Sequence, residues 1–199
     1  MPEKVEGVKG MSTFTRKTKE TDITVQFDGT PGEVVISTGY PFLSHMLEAF
    51  CCHGNFSIQI NADGDMEVDP HHLVEDCGYC LGMALATESA FSSVNRTGSF
   101  AFPMDDSLAL VSVDLSGRPY SIWNVSPDEK TVNGISIGVF SEFFQGFSRG
   151  ANAGVHVLLL YGENPHHAVE AVFKAFGRAL NQALEKTCKP RTTKGVFDA

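Results

Sequence analysis

The chain repeats itself. The repeat is marked by His-His-x-x-Glu occurring twice, at His71-His72-Leu-Val-Glu75 and at His166-His167-Ala-Val-Glu170. A duplication constrains a fold strongly, because each half must build the same unit and find a partner for its apolar face. The first half opens with the alternating stretch Asp22–Phe27, the turn Asp28-Gly-Thr-Pro-Gly32 and the stretch Glu33–Ser37; the second opens with Leu108–Asp114, Ser116-Gly-Arg-Pro119 and Tyr120–Val125. Both read as β-hairpins. Each is followed by a helical segment (Pro41–Phe50; Val139–Phe147) and a strand (Phe56–Ile60; Gly154–Leu160). A long helix then starts at His-His-x-x-Glu and runs to Leu85 or Leu180, with a short strand, Met66–Val68, before it in the first half. The order is β-β-α-β-(β)-α twice, over about residues 11–92 and 99–187, with Ser92–Phe102 as the seam. The expected class is α+β: two tandem units, each a sheet with helices on one face, their helical layers packed together in one globular domain spanning 1–199.

Composition narrows the function classes. A net charge of −9 speaks against nonspecific nucleic-acid binding, which needs a basic surface. No apolar run approaches the roughly 20 residues that span a bilayer. The N-terminal MPEKVEGVKGMSTFTRKTKE has no apolar signal core, and the five cysteines (51, 52, 77, 80 and 188) form an odd set. Together these fit a cytoplasmic protein in a reducing compartment. Cys77-Gly-Tyr-Cys80 invites a zinc or redox reading, but residues 77, 80, 81, 84 and 85 share core spacing on a helix. The two cysteines are therefore read as packed in the core.

Histidine and glutamate are first-choice ligands for borderline metals, and residues three or four apart on a helix share one face. Adjacent histidines point about 100° apart, so one ion rarely takes both comfortably. A doubled pair thus suggests two metals. Superposing the halves pairs His45 with Glu142, 26 and 24 residues before the first histidine of each motif. Each half would offer one ligand from its first helix and three from the start of its second. The plainer alternative is two helix N-termini with capping carboxylates, which the repetition disfavours.

The motif series resembles the imidazoleglycerol-phosphate dehydratase family from Arg16 to Phe197. It comprises Arg16-Lys-Thr-Lys-Glu-Thr21, Thr38-Gly-Tyr-Pro-Phe-Leu-Ser-His-Met-Leu47, Asp69-Pro-His-His-Leu-Val-Glu-Asp76 and Pro103-Met-Asp-Asp-Ser-Leu108. It continues with Asp114-Leu-Ser-Gly-Arg-Pro-Tyr120, Gly162-Glu-Asn-Pro-His-His-Ala-Val-Glu-Ala171, Phe173-Lys-Ala-Phe-Gly-Arg-Ala-Leu180 and Thr192-Thr-Lys-Gly-Val196. The resemblance implies a fold similar to ribosomal protein S5 domain 2 and a di-manganese lyase of histidine biosynthesis. It also implies a 24-subunit homo-oligomer of trimers, with active sites at subunit contacts. Departures stand at Ser44, Pro70, Leu73 and Asp106, where the family commonly has Asp, Asp, Thr and Glu. At Glu142 the usual residue is a metal-binding histidine.

By the same resemblance, the metal ligands are His45, His71, His72, Glu75, Glu142, His166, His167 and Glu170. Glu20 is the expected catalytic base, with Asp105 next in line. His53 is a substrate contact, and Arg96, Arg118, Lys174, Thr192, Thr193 and Lys194 form the phosphate pocket, the last three on the tail 188–199. The implied substrate carries a phosphorylated glycerol chain on imidazole, and the hydrogen to be lost is only weakly acidic. Two metals at the ring nitrogens would stabilise imidazolate as Lewis acids. Imidazolate can expel the adjacent hydroxyl to give a diazafulvene, and a base can remove the neighbouring C–H. Two rivals stay open on the repeat alone: a di-metal phosphohydrolase, and a metal-stabilised protein without turnover.

Overall fold

The computed structural model describes residues 11–88, 94–127 and 130–187. In the first half β1 (Ser12–Lys17), β2 (Thr21–Asp28), β3 (Val34–Thr38) and β4 (Ser57–Gly64) form a sheet in the order β1-β2-β4-β3. Helix α1 (Pro41–Gly54) joins β3 to β4, and α2 (His71–Glu88) follows β4. The second half repeats this with β5 (Thr97–Met104), β6 (Ser107–Asp114), β7 (Tyr120–Asn124) and, after an inserted hairpin of β8 (Thr131–Val132) and β9 (Ile135–Ser136), β10 (Gly154–Tyr161). Its sheet order is β5-β6-β10-β7; α3 (Phe140–Ala151) precedes β10 and α4 (Pro165–Leu184) follows it. The α+β class with helices on one face of each sheet is what the sequence led us to expect.

Three details differ from the sequence reading. The expected hairpins turn the chain but do not pair: β4 lies between β2 and β3, antiparallel to one and parallel to the other, and β10 lies likewise between β6 and β7. The reason is burial. β4 and β10 carry Ile58, Ile60, Val155 and Val157, all buried, and an interior strand with two neighbours satisfies its backbone while covering those side chains. Strands β1 and β5 add to the expected elements; β5 occupies much of the expected seam, and both pair antiparallel as edges. Met66–Val68 is a turn rather than a strand. β2 ends its pairing with β4 at Thr21 opposite Gly64, so the following residues have no neighbour to pair with. The chain closes instead through Val68 N–H donating to the Asp65 carbonyl (2.8 Å).

The helices fill the space between the sheets, and they do so across the halves: α1 packs on α4 and α2 on α3. Nine phenylalanines, among them Phe50, Phe143, Phe144, Phe147, Phe173 and Phe176, are essentially inaccessible to solvent in this layer or against it. Phe176 stacks on Phe50 at 4.8 Å and meets Phe147 edge-on at 4.9 Å, tying first-half α1, second-half α3 and second-half α4 together. Cys77 and Cys80 are buried on α2, in line with a packing role, and Cys188 lies outside the described residues.

Bulky aromatics alone would hold the helices apart, and glycine corrects this where α2 crosses α3. A Cβ on Gly146 would sit 2.2 Å from the Glu75 carbonyl oxygen, and one on Gly78 would sit 2.0 Å from that of Phe143. Both clashes are with backbone, so only movement of a whole helix would relieve them. Gly146→Ala should therefore lower unfolding stability by about 1–3 kcal/mol, the range for overpacking, as read from the urea midpoint. A midpoint equal to the wild-type value would mean that the crossing is looser than described.

Candidate metal centres

Both long helices begin the same way, with an Asx-Pro pair that sets the histidines at a helix N-terminus. Asn164 caps α4, its side-chain oxygen accepting from His166 N–H (2.9 Å), with Pro165 in the first turn. Asp69 accepts from His71 N–H (2.7 Å) in the equivalent place before α2. The first helices are also built alike: α1 and α3 end on Asn55 and Asn152, both left-handed. These matched caps fix how far each ligand stands from its sheet.

The sequence grouped ligands by half; the structure groups them across halves. His45 of α1 meets His166 and Glu170 of α4, and Glu142 of α3 meets His71 and Glu75 of α2; in each trio the ligand atoms lie within 4.8 Å of one another. Nε2 of His45 is 3.7 Å and Nε2 of His166 is 3.3 Å from the same Glu170 oxygen, and Nε2 of His71 is 3.3 Å from Glu75. The cause is the packing of each first helix on the opposite half's second helix. An ion about 2.0–2.2 Å from each ligand atom spaces those atoms at about 3–4.4 Å, and both trios come within a few tenths of an ångström of that spacing, so small side-chain shifts would close each on a single divalent ion. Three protein donors leave coordination positions open. The second trio, with two carboxylates and one imidazole, is the harder set in ligand chemistry.

His72 and His167 join neither trio. The Nδ1 of His72 is 3.1 Å from Asp65, and that of His167 is 2.5 Å from Asp106. A carboxylate on Nδ1 fixes the ring and the tautomer, and leaves Nε2 as the nitrogen with a lone pair to offer. Asp106 is itself held: it accepts from the backbone N–H groups of Asn164 (2.8 Å) and Glu163 (2.7 Å). These, first of all Asn164, and His167 keep its carboxyl well below the usual range. Asp65 had no signal beyond its place after a strand. Arg149, which ion-pairs with Glu75 from the facing helix, had none at all.

Lys174 plays the matching part for Glu170, with Nζ 2.7 Å away. Burial pushes the Glu170 carboxyl up, but the hydrogen bond and charge of Lys174, with His45 and His166, bring it below its ordinary value. His53, at the end of α1, meets Phe102 edge-on at 4.7 Å. Burial, then the cations Lys174 and Arg178, lower its pKa. Glu20 is exposed in the β1–β2 turn, where its carbonyl accepts from Asp65 N–H (3.0 Å) and its charge helps raise the His72 pKa. Asp105, exposed in the corresponding β5–β6 turn, lies 3.5 Å from Nε2 of His167.

Among the described residues, the expected phosphate residues fall at two ends of β5. Arg96 makes a two-pronged pair with Asp114 (2.7 and 3.0 Å), and Arg118 is exposed in the turn that follows β6. Lys174 reaches Met104, at the other end of β5. Eight residues of extended chain separate those ends, roughly 26 Å at about 3.3 Å per residue. Thr192, Thr193 and Lys194 lie outside the described residues.

The family model for imidazoleglycerol-phosphate dehydratase matches residues 38–180. The chain belongs to the imidazoleglycerol-phosphate dehydratase family. It is 45% identical over 177 residues to the imidazoleglycerol-phosphate dehydratase of Geobacter sulfurreducens, covering 87% of this chain and 90% of that protein. It is also 45% identical to that of Acetivibrio thermocellus, covering 86% and 89%. A crystal structure of the Pyrococcus furiosus imidazoleglycerol-phosphate dehydratase superposes with a TM-score of 0.83 at 41% identity, covering 92% of this chain and 100% of that one. The Staphylococcus aureus structure gives 0.79 at 35%, covering 89% and 99%. In this imidazoleglycerol-phosphate dehydratase family member, both trios and both histidine–aspartate pairs fall between residues 45 and 170, inside the matched span.

The His72–Asp65 pair has a measurable signature. Its hydrogen bond raises the His72 pKa above 6.5, against the opposing effect of desolvation. A raised folded value means that the pair's contribution to stability is full below the unfolded pKa and is lost as pH rises through the folded one. Asp65→Asn should lower the His72 pKa in metal-free protein, read from its ring-proton NMR titration. A titration that Asp65→Asn leaves unmoved would show that another group sets it.

Proposed function

We propose that this chain removes water from imidazoleglycerol phosphate to give imidazole-acetol phosphate, a carbon–oxygen lyase step of histidine biosynthesis in the cytoplasm. Two divalent ions per active site, manganese from the carboxylate-rich ligand chemistry and the family, would serve it. The observation that carries the reading is the pair of ligand trios, each with open positions, in a member of this family. His45, His166 and Glu170 would hold one ion; His71, Glu75 and Glu142 would hold the other. When bound, the ions act as Lewis acids that take up the negative charge of a deprotonated imidazole.

The chain's own groups supply the rest. Glu20 is exposed and close enough for its charge to act on His72, which suits a base that accepts the carbon-bound proton beside the centre. Arg96 and Arg118 suit an anionic phosphate, with Thr192, Thr193 and Lys194 of the tail completing the pocket and His53 touching the substrate. Lys174 supplies a point charge next to Glu170. Because Arg96 and Lys174 lie at opposite ends of β5, and because His72 and His167 stand outside their own chain's trios, the complete site is assembled between copies of the chain. His72 and His167 are the ligands that one copy would offer another, in a large homo-oligomer of the 24-subunit, trimer-built kind that the family resemblance implies.

Chelation should abolish dehydration of imidazoleglycerol phosphate and manganese should restore it. Phosphate release in place of the imidazole-acetol product would point to a hydrolase instead. Glu20→Gln should keep manganese binding, measured by calorimetry, while kcat falls by about 10²–10⁴-fold, the usual loss for a missing general base. Normal turnover by that variant would move the base to Asp105.

Mixing gives the sharper test of shared sites. Arg96→Ala and Lys174→Ala proteins, each impaired alone, should regain activity when dissociated and reassembled together, since some hybrid sites then hold both wild-type residues. Additive, unrescued activities would place the whole site on one chain.

A further inference from the structure

The β1–β2 and β5–β6 turns match residue for residue, yet they are anchored in opposite ways. Strand pairing sets the match. Lys17 pairs with Asp22 and Thr18 N–H donates to the Thr21 carbonyl (2.8 Å), as Pro103 pairs with Leu108 and Met104 with Ser107. Glu20 therefore corresponds to Asp106 and Thr21 to Ser107, while the repeated His-His-x-x-Glu aligns Asp76 of α2 with Ala171 of α4. In the second half the turn's own carboxylate is the anchor. One Asp106 oxygen accepts from the backbone N–H groups of Glu163 and Asn164, and the other holds Nδ1 of His167. The helix offers no polar group at Ala171, and among the described residues the buried Ser107 hydroxyl has no hydrogen-bond partner.

In the first half the anchor comes from the helix. Buried Thr21 donates its hydroxyl hydrogen to one oxygen of Asp76 (2.6 Å), and Nε of Arg16 lies 3.0 Å from the other. With its only hydrogen committed to a carboxylate, the Thr21 hydroxyl can only accept from that of Thr18, 3.2 Å away. The Thr18 oxygen in turn accepts from the N–H groups of Glu20 and Thr21, each at 3.0 Å. From the other side, Asp65 N–H holds the Glu20 carbonyl (3.0 Å), and the Asp65 carboxylate orients His72. The two tasks that Asp106 combines, anchoring a turn and orienting an imidazole, are thus divided between Asp76 and Asp65. Glu20 is fixed by its backbone and remains exposed.

We infer that Asp76 and Thr21 are positioning residues for Glu20, setting through Thr18 the place of the peptide that carries this carboxylate. The inference rests on the reading of Glu20 as the base. A base that takes a proton from carbon must be held at a defined distance from it, and a turn on the protein surface does not supply that rigidity by itself. The hydrogen bond from Thr21 to an ionised carboxylate is of the strong, charge-assisted kind. Arg16 offsets the charge of the largely buried Asp76 and lies over the Tyr79 ring at 5.3 Å. In the second half the cation and the ring change places: Lys174 on the helix lies over Phe102 on the strand at 5.7 Å, and its charge serves Glu170 instead. The duplication is an internal control here, since a matched turn folds without the helix-borne anchor. What the anchor adds is a carboxylate at position 20 with no structural task.

Thr21→Val removes the hydroxyl at nearly constant shape and tests this. Its kcat should fall by about 10–100-fold, the scale of a misplaced catalytic group, with KM and calorimetric manganese affinity within about twofold of wild type. Thr21→Ser, which keeps the donor, should recover most of the loss. Thr18→Ala, at a half-buried turn position, should lower kcat in the same way and serves if Thr21→Val does not fold. Ser107→Ala, at the matched hydroxyl, should leave kcat unchanged. The deciding measurement is a double-mutant cycle: in a Glu20→Gln background Thr21→Val should cost nothing further, because the group it positions no longer accepts a proton. An equal loss in both backgrounds, a loss carried by KM or manganese binding, or wild-type turnover by both threonine variants would overturn the positioning role and leave Glu20 as the base. Normal turnover by Glu20→Gln alone would remove the base and this inference with it.

Discussion

Close approach of helix α2 to helix α3 is the constraint on which the centres depend. Gly78 and Gly146 let backbone meet backbone there, and Glu75, whose carbonyl would clash with a Cβ on Gly146, is itself a ligand candidate. The distance between His71 and Glu142 is thus set by the absence of two side chains, far more rigidly than any flexible contact could set it. On the other side Gly177 brings α4 to the Phe50 backbone of α1, and His45 is positioned against Glu170 by the same device. The aromatic layer beneath then holds both crossings against rotation.

Around these crossings, the candidate ligands are supported by charged neighbours outside the two trios. Asp65 and Asp106 orient imidazoles, while Arg149 and Lys174 orient carboxylates. The two trios are not equal in charge. Glu142 adds a carboxylate that the His45 trio lacks, and Arg149 offsets part of that charge by pairing with the neighbouring Glu75. Each trio is therefore a balance between attraction for a cation and repulsion among its own carboxylates, struck with different residues.

Much of this could be read from the chain. Periodicity and the doubled motif revealed the duplication, the helix starts and the candidate ligands, because those are local properties of spacing. Strand pairing escaped because β4 inserts between two strands that are sequence neighbours, and nothing local announces an insertion from downstream. Asp65, Arg149 and the cross-half grouping escaped for a related reason: each depends on which helix packs on which, a property settled by glycines and phenylalanines distributed over both halves. Arg96 and Arg118 were legible as cations through the family motifs, but their separation from Lys174 appears only once β5 has a direction.

The crossed pairing of α1 with α4 and α2 with α3 bears on what the duplication permits. A half-length chain carrying one helix of each kind could build such a centre only by pairing with an identical copy, and symmetry would then make both of its centres the same. Joining the halves in one polypeptide lifts that restriction. Each centre draws on two different stretches of sequence, so a substitution touches one centre and spares the other. The position held by His45 in one half can hold Glu142 in the other, and the part Lys174 plays beside Glu170 can fall to Arg149 beside Glu75, only because the two copies of the unit no longer have to share every change. The covalent link thus makes it possible for two metal positions of common design to differ in charge and affinity.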